Sequence, residues 1–301
     1  MKKFLIVITG PTASGKTALA IDAALHFKTE IISADSRQFF REMNIGTAKP
    51  SADQLKKVKH HFIDSLSVKD DYDAGKFEAD ALKKLDEIFS MHDTTILTGG
   101  SGLYIDAACN GFDRLPESDE NIRAELSALR KEKGIEALQE NLKALDIDYY
   151  NTVDLNNTHR VMRAIEVCML TGKKFSELRL RKKVQRNFSV LKIGLSTDRK
   201  TLYQKINERV EQMMHDGLLN EAKQLFAFRD YNALQTVGYK ELFDHLEGKI
   251  SLGEAVELIK RNSRRYAKRQ LTWFNKDPEM HWFQPENKDE IFAWLKKEMR
   301  E

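Results

Sequence analysis

The sequence predicts an α/β fold in which helices flank a parallel sheet and a helical insertion interrupts the chain. Three observations carry this. The run Phe4-Leu-Ile-Val-Ile-Thr9 has the unbroken apolar character of a strand buried on both faces, and the residues behind it read Gly10-Pro-Thr-Ala-Ser-Gly-Lys-Thr17, a complete phosphate-binding loop. Two further strand-like runs, Glu30-Ile-Ile-Ser33 and Thr94-Thr-Ile-Leu-Thr98, are each followed by turn residues and then by helical pattern, as in βαβ units. From about 118 to 178 the texture becomes heptad-like and rich in Glu, Lys, Leu and Ala, which suits helices that pack on one another.

Taken in order, the first strand delivers the chain to a loop built for anions. Gly10 and Gly15 let the backbone wrap so that the N–H groups of Pro11's successors Thr12, Ala13 and Ser14 face inward, and the helix that opens near Lys16 adds the positive end of its dipole. Lys16 can neutralise outer phosphates and the Thr17 hydroxyl can ligate Mg²⁺, so a P-loop NTPase-like core is expected. In open α/β sheets ligands gather at the carboxyl ends of the strands, which places the turns Asp35-Ser-Arg-Gln38 and Gly99-Gly-Ser-Gly102 on the same rim as the loop. Asp35 there could be a general base, could hold Mg²⁺ through water, or could simply stabilise its turn. Ser101 offers a hydroxyl, although glycines in a βα turn are often only structural.

Beyond Leu115-Pro116 the insertion begins, and the expected division is a catalytic core at 1–115 and 187–301 with a helical domain at 116–186. Within it, Arg160 and Arg163 lie three residues apart on one helical surface, which suits phosphate recognition or an ion pair with a neighbour such as Glu166. Arg179-Leu-Arg-Lys-Lys-Val-Gln-Arg186 closes the insertion, and Ser189-Val-Leu-Lys-Ile-Gly-Leu195 reads as a returning core strand. Residues 198–300 are expected to be mostly helical, with breaks at Gly217, at Thr236-Val-Gly-Tyr239 and at Asp277-Pro278. The helix around Lys260-Arg-Asn-Ser-Arg-Arg-Tyr-Ala-Lys-Arg-Gln270 carries a basic stripe that fits a nucleic-acid backbone, and the Arg179–Arg186 cluster could extend it.

Composition bounds the rest. At 301 residues, 41% of them apolar and 32% charged, the chain can bury a substantial core, and no apolar stretch is long enough to cross a membrane. The strand starts after Met1-Lys2-Lys3, which leaves no room for a signal peptide, so a cytoplasmic monomer is expected. Cys109 and Cys168 are the only cysteines, too few for a disulfide framework or a Cys-based zinc site, and read as reduced core thiols. A net charge of +3 names no partner.

Together these motifs resemble the tRNA dimethylallyltransferase family in its compact bacterial form, over nearly the whole chain. The resemblance rests on residues 10–17, Ile32-Ser-Ala-Asp-Ser36, Asn44-Ile-Gly-Thr-Ala-Lys-Pro50, Arg114-Leu-Pro116, Arg160-Val-Met-Arg163, Thr236-Val-Gly-Tyr239 and Lys268-Arg-Gln-Leu-Thr-Trp273. One departure is Gly99-Gly-Ser101 where the family usually has Gly-Gly-Thr, a change that keeps the hydroxyl. The resemblance implies that residues 10–17 bind the diphosphate of dimethylallyl diphosphate, with Mg²⁺ at Thr17, and that the allyl group passes to N6 of an adenosine beside the anticodon. It further implies that Lys16 and Arg163 stabilise the leaving diphosphate, that Asp35 accepts the N6 proton and that Ser101 helps fix the reacting groups. The tRNA anticodon stem-loop would then lie along Asp35, Ser36, Arg37, Gln38 and Ser101, along Arg123, His159, Arg160, Val161, Met162 and Arg163, and along Gln235, Thr236, Val237, Gly238, Tyr239 and Lys240. The runner-up is an ATP-dependent small-molecule or nucleotide kinase, which the same loop would serve.

Overall fold

In the computed structural model, which describes residues 2–113, 115–180 and 184–300, β1 (Phe4–Thr9) is buried along its whole length. It leads through the loop into α1 (Lys16–Phe27) and β2 (Ile31–Ser33). α2 (Ala52–Lys57) starts at a capping box in which Ser51 and Gln54 satisfy each other's backbone N–H groups, and β3 (His60–His61) follows. Asp73 caps α3 (Ala74–Phe89), β4 (Thr94–Gly99) is again wholly buried, and α4 (Gly102–Asn110) leaves its end. After the insertion the chain returns as β5 (Ser189–Leu195).

The strands form one sheet in the order β3-β2-β4-β1-β5 and then a sixth strand, Met280–Phe283, every pair being parallel. β1 lies centrally, with Thr9 opposite both Gly99 and Gly194, so the loop that follows it opens between the ends of β4 and β5. Sheet alternation divides the core. Leu5, Val7, Ile32 and Leu97 meet Phe39, Phe77 and Leu85 on one face, while Ile6, Ile8, Ile31 and Ile96 meet Leu19 and Ala20 of α1 on the other. The parallel core was expected, but β3 and the sixth strand were not. Each has only two to four residues at a sheet edge, too short to show a period of two.

The described chain divides into two units, Met1–Cys109 with Arg186–Glu301, and Asn110–Gln185. In the smaller unit α5 (Glu120–Leu145), capped by Asp119, is interrupted at Gly134 (φ 80°), so the heptad-like pattern belongs to two helical arms. α6 (Ile147–Tyr150), α7 (Thr158–Thr171) and α8 (Phe175–Leu178) complete it around Leu126, Leu138, Leu142, Val161, Ile165 and Phe175. Its two buried carboxylates are fully engaged: Asp146 accepts from the backbone of Tyr149 and Ser176 and from the Ser176 hydroxyl, and Glu166 accepts from Asp119 N–H, Arg123 and Arg163.

The C-terminal part of the larger unit consists of α9 (Arg199–His215), α10 (Leu218–Leu225), α11 (Tyr239–Leu246) and α12 (Leu252–Phe274), then β6 (Met280–Phe283) and α13 (Lys288–Glu298). α9 to α12 close over a third cluster that includes Val210, Leu218, Tyr239, Leu242 and Ile259, and α13 covers the sheet through Ile291 and Leu295. Both cysteines are buried, and desolvation pushes the Cys109 thiol up to about 12. No helix among the described residues is long and apolar enough to cross a membrane.

Candidate active site

The phosphate loop turns on its two glycines, but two of the three N–H groups expected to face inward are engaged within the protein: Thr12 N–H donates to Gln270 and Ser14 N–H to the Pro11 carbonyl at 3.2 Å. Gly10 adopts φ 151°, and a Cβ there would stand 2.7 Å from the Leu195 carbonyl, so a larger residue cannot lie against β5 at this point. Gly15, at φ 88°, is the N-cap of α1 and supplies no side-chain cap, which leaves the first-turn N–H groups of the helix to an anion. The Ser14 hydroxyl is buried without a hydrogen-bond partner among the described residues, a donor suited to an incoming phosphate oxygen.

A cavity of about 430 Å³ in the larger unit collects the loop, the turn at 35–38 and Gly99 at the end of β4, with Ser101 set behind its lining. Its charged lining consists of Lys16, Arg37, Arg209 and Asp35, three cations against one carboxylate, a balance that suits an anion. Desolvation pulls Lys16 down to about 8, against the charge of Asp35 and with that of Arg209, while its Nζ reaches the Pro11 carbonyl at 3.2 Å. Desolvation also lowers Arg209 and Arg37, opposed in both by Asp35. Arg209 extends to the Thr12 hydroxyl at 3.2 Å.

Asp35 sits just beyond β2, where its Oδ1 accepts the Arg37 N–H at 3.1 Å. Its Oδ2 has no hydrogen bond among the described residues and lies on the Gly100 side. The Ser101 hydroxyl accepts the Ser36 N–H at 2.9 Å and reaches the Ser36 hydroxyl at 3.1 Å, tying the two turns together. Tyr266 interacts with Ser101, and burial followed by the charge of Asp35 pushes it up to about 12. Gln270, buried on α12, accepts the Thr12 N–H at 2.8 Å and donates to the Gly100 carbonyl at 2.9 Å, so one amide fastens the phosphate loop to the turn after β4.

The remaining expected residues fall into three groups. Gln38 lines the cavity and donates to the carbonyls of Thr47 and Ala48, and Thr236, Val237 and Gly238 line the cavity as well. Gln235 and Lys240 are exposed, whereas Tyr239 is fully buried, so its side chain packs and only its backbone could meet a ligand. In the smaller unit His159 and Arg160 are exposed and Met162 is half-buried, while Val161 is fully buried in the core. Arg163 donates to Glu166 at 2.6 Å and to the Pro116 carbonyl at 2.5 Å, and Arg123 donates to the same Glu166 at 3.0 Å, so an internal ion-pair network engages both.

The basic segments are narrower than their sequence suggests. Lys260 pairs with Glu257 and Glu211, and Arg264 donates to Asn207, which leaves Arg261, Arg265, Lys268 and Arg269 as the exposed cations of α12. Arg186 does not extend a nucleic-acid track: it turns inward to Glu78 and to the carbonyls of Ala107 and Ala108. Arg114 and residues 181–183 lie outside the described residues.

Sequence reasoning missed Arg209, Gln270 and Tyr266. A signal existed for the first two, since each interrupts a buried helical stripe: Arg209 follows Leu202 and Ile206 on α9, and Gln270 falls between Ala267 and Phe274 on α12. A polar side chain on an apolar face marks a site or a tether.

For Mg²⁺, no three His, Cys, Asp or Glu side chains gather among the described residues, and Thr17 lines the cavity beside Lys16. That donor set suits an ion that arrives on a diphosphate and keeps most of its water.

The fold and this cavity define an α/β core of the P-loop type, with a cation-rich cavity that contains one carboxylate. The IPP transferase family profile matches residues 38–277, and the chain belongs to that family. It is 51% identical over 296 residues to the tRNA dimethylallyltransferase of Christiangramia forsetii, covering 98% of each chain. Among solved structures it is similar to the full-length tRNA isopentenylpyrophosphate transferase of Bacillus halodurans, with TM-score 0.74 and 36% identity over 100% of this chain and 97% of that one. It is also similar to a eukaryotic dimethylallyltransferase acting on tRNA, with TM-score 0.80 and 25% identity over 95% of this chain and 74% of that one.

Proposed function

We propose that this protein transfers the dimethylallyl group of dimethylallyl diphosphate to N6 of the adenosine on the 3′ side of the anticodon, in tRNAs reading codons that start with U, and releases diphosphate. One observation carries the reading: a single cavity joins an anion-binding loop, an apolar wall and a carboxylate with an unengaged oxygen. The first-turn N–H groups of α1, the Ser14 hydroxyl, Lys16 and Arg209 would receive the diphosphate. Ile206, Val210, Met213 and Ile259 give the cavity an apolar side matched to a five-carbon chain.

In the chemical step the N6 lone pair attacks C1 of the allyl group as the C1–O bond breaks, and Asp35 Oδ2 takes the N6 proton. Charge that develops on the leaving oxygen falls where Lys16 and Arg209 are already placed, so they stabilise the transition state more than the ground state. Thr17 would hold Mg²⁺ alongside the diphosphate, where the ion supplies further charge neutralisation. Ser101, bonded to Ser36, holds the turn that presents Asp35. Arg209 takes the leaving-group role in the cavity, while Arg163 and Arg123, braced by Glu166, order the helix that offers His159 and Arg160 to tRNA.

An adenine stacked in the anticodon loop must be flipped out to enter the cavity, at a cost of a few kcal/mol that pocket contacts offset. The exposed cations of α12 would contribute salt-sensitive contacts to the tRNA backbone. The ATP-dependent kinase is the weaker reading, because none of the named relatives is a kinase and a metabolite kinase needs no exposed basic helix.

The test incubates the protein with Mg²⁺, labelled dimethylallyl diphosphate and unmodified tRNA carrying either adenosine or guanosine at the target position. Digestion should yield N6-prenyladenosine from the adenosine form alone. No transfer, with ATP consumed in a parallel reaction, would establish the kinase instead.

A further inference from the structure

Glu221 is a buried carboxylate that no cation neutralises among the described ion pairs, which is costly unless hydrogen bonds replace its water. Four donors do so. Its Oε2 accepts the N–H groups of Asn44 at 2.9 Å and Ile45 at 2.8 Å, and its Oε1 accepts the Gly46 N–H at 2.9 Å and the Tyr239 hydroxyl at 2.6 Å. One side chain on α10 therefore caps the 3₁₀ turn Ile45–Thr47 and grips the start of α11. Gly46 lies flat on the Tyr239 ring, where a Cβ would come within 2.6 Å of two ring carbons.

Both gripped segments are walls of the cavity, through Gly46 and Thr47 on one side and Val237 and Gly238 on the other. The turn also reaches the reacting end, since its Thr47 carbonyl accepts from Gln38 Nε2 at 3.3 Å and the Gln38 N–H donates to the Asp35 carbonyl at 3.2 Å. The phosphate loop is fastened separately, by Gln270.

Resting on the prenyl-transfer reading, we propose that Glu221 is a positioning residue for that reaction: it sets the spacing of the two cavity walls and, through Gln38, the placement of the turn bearing Asp35. It touches no substrate. Its loss should therefore affect the use of tRNA and leave diphosphate binding intact.

The experiment compares wild type, Glu221→Gln and Tyr239→Phe in steady-state transfer to tRNA, alongside the melting shift produced by dimethylallyl diphosphate. The glutamine is isosteric, but its amide N–H₂ confronts backbone N–H donors. It should lower kcat/KM for tRNA by about 10- to 100-fold, as expected for a displaced reacting group, while the diphosphate-induced shift stays as in wild type. Tyr239→Phe keeps the ring on Gly46 and removes one hydrogen bond, so about a 5-fold loss in the same direction is expected, and this variant carries the test should Glu221→Gln not fold. Unchanged kinetics in the folded variants would overturn the proposal, as would a parallel loss of diphosphate binding, which marks general damage. Wild type that fails to prenylate would instead sink the underlying reading.

Discussion

At the residue scale the site is a matter of which charges share one small volume. Asp35 keeps one carboxylate oxygen on its own turn and the other unengaged, so Asp35→Asn should leave tRNA binding near wild type while turnover falls about 10²- to 10⁴-fold, the range for loss of a general base. Filter binding and single-turnover transfer on the same preparation separate the two effects, and normal turnover would remove Asp35 from the mechanism. Lys16 gives a pH signature. Desolvation brings it to about 8 in the free protein, and a bound diphosphate favours its ammonium form. Below that value the charge is already present. Above it, binding must take up a proton, so affinity for dimethylallyl diphosphate should be flat toward neutral pH and should fall by up to about tenfold per pH unit once the lysine is neutral. Calorimetry should show proton uptake in that range, and Lys16→Met should bind weakly with little slope; a wild-type affinity flat through pH 9 would assign the charge elsewhere.

At the element scale, α12 does more than present a basic stripe. Its inner face carries Gln270, which bonds both to the phosphate loop and to the turn after β4, and the exposed Trp273 donates its indole N–H to Asp106 at 3.1 Å. Gln270→Ala would strand a backbone donor and a backbone acceptor in a buried place, a cost of about 2–4 kcal/mol. A lowered Tm and weaker diphosphate binding are expected, and a variant with wild-type values for both would show that the loop is held without it. The same helix shows what a sequence discloses and what it hides. β1, the loop and the two rim turns were legible because each depends on local chemistry: continuous apolar residues, glycines of fixed spacing and a lysine before a hydroxyl. The partners of Gln270 lie 258 and 170 positions away along the chain, and no local pattern encodes such a pairing. Residues 47–50 were likewise opaque, and the turn that leads into them is held by a carboxylate 175 to 177 positions on, where Glu221 accepts from Asn44, Ile45 and Gly46. Edge strands of two to four residues escaped for a simpler reason, having too few side chains to display a period.

At the scale of the whole molecule, the two units have separate interiors. The cavity, with Lys16, Asp35, Ser101's turn and Arg209, belongs to the larger unit, and the buried ion-pair network of Glu166 belongs to the smaller. Within the smaller unit the chain enters and leaves at neighbouring points, because the Val184 N–H donates to the Asn110 carbonyl at 2.7 Å. A short linker can therefore replace the intervening residues without stretching the larger unit, for loop closure over a few residues costs little entropy. We expect a chain in which a Gly-Ser linker replaces residues 111–183 to fold, and to show the same stabilisation by dimethylallyl diphosphate and Mg²⁺ as the intact protein. Transfer to tRNA should be lost, because His159, Arg160 and the helix braced by Arg163 are gone while the diphosphate machinery is intact. Retained transfer would place the tRNA determinants wholly on the larger unit, around Arg37, Val237 and the cations of α12. Loss of the diphosphate-induced melting shift in a chain that still unfolds cooperatively would show instead that the smaller unit completes the anion site, and would return Arg163 to the leaving group.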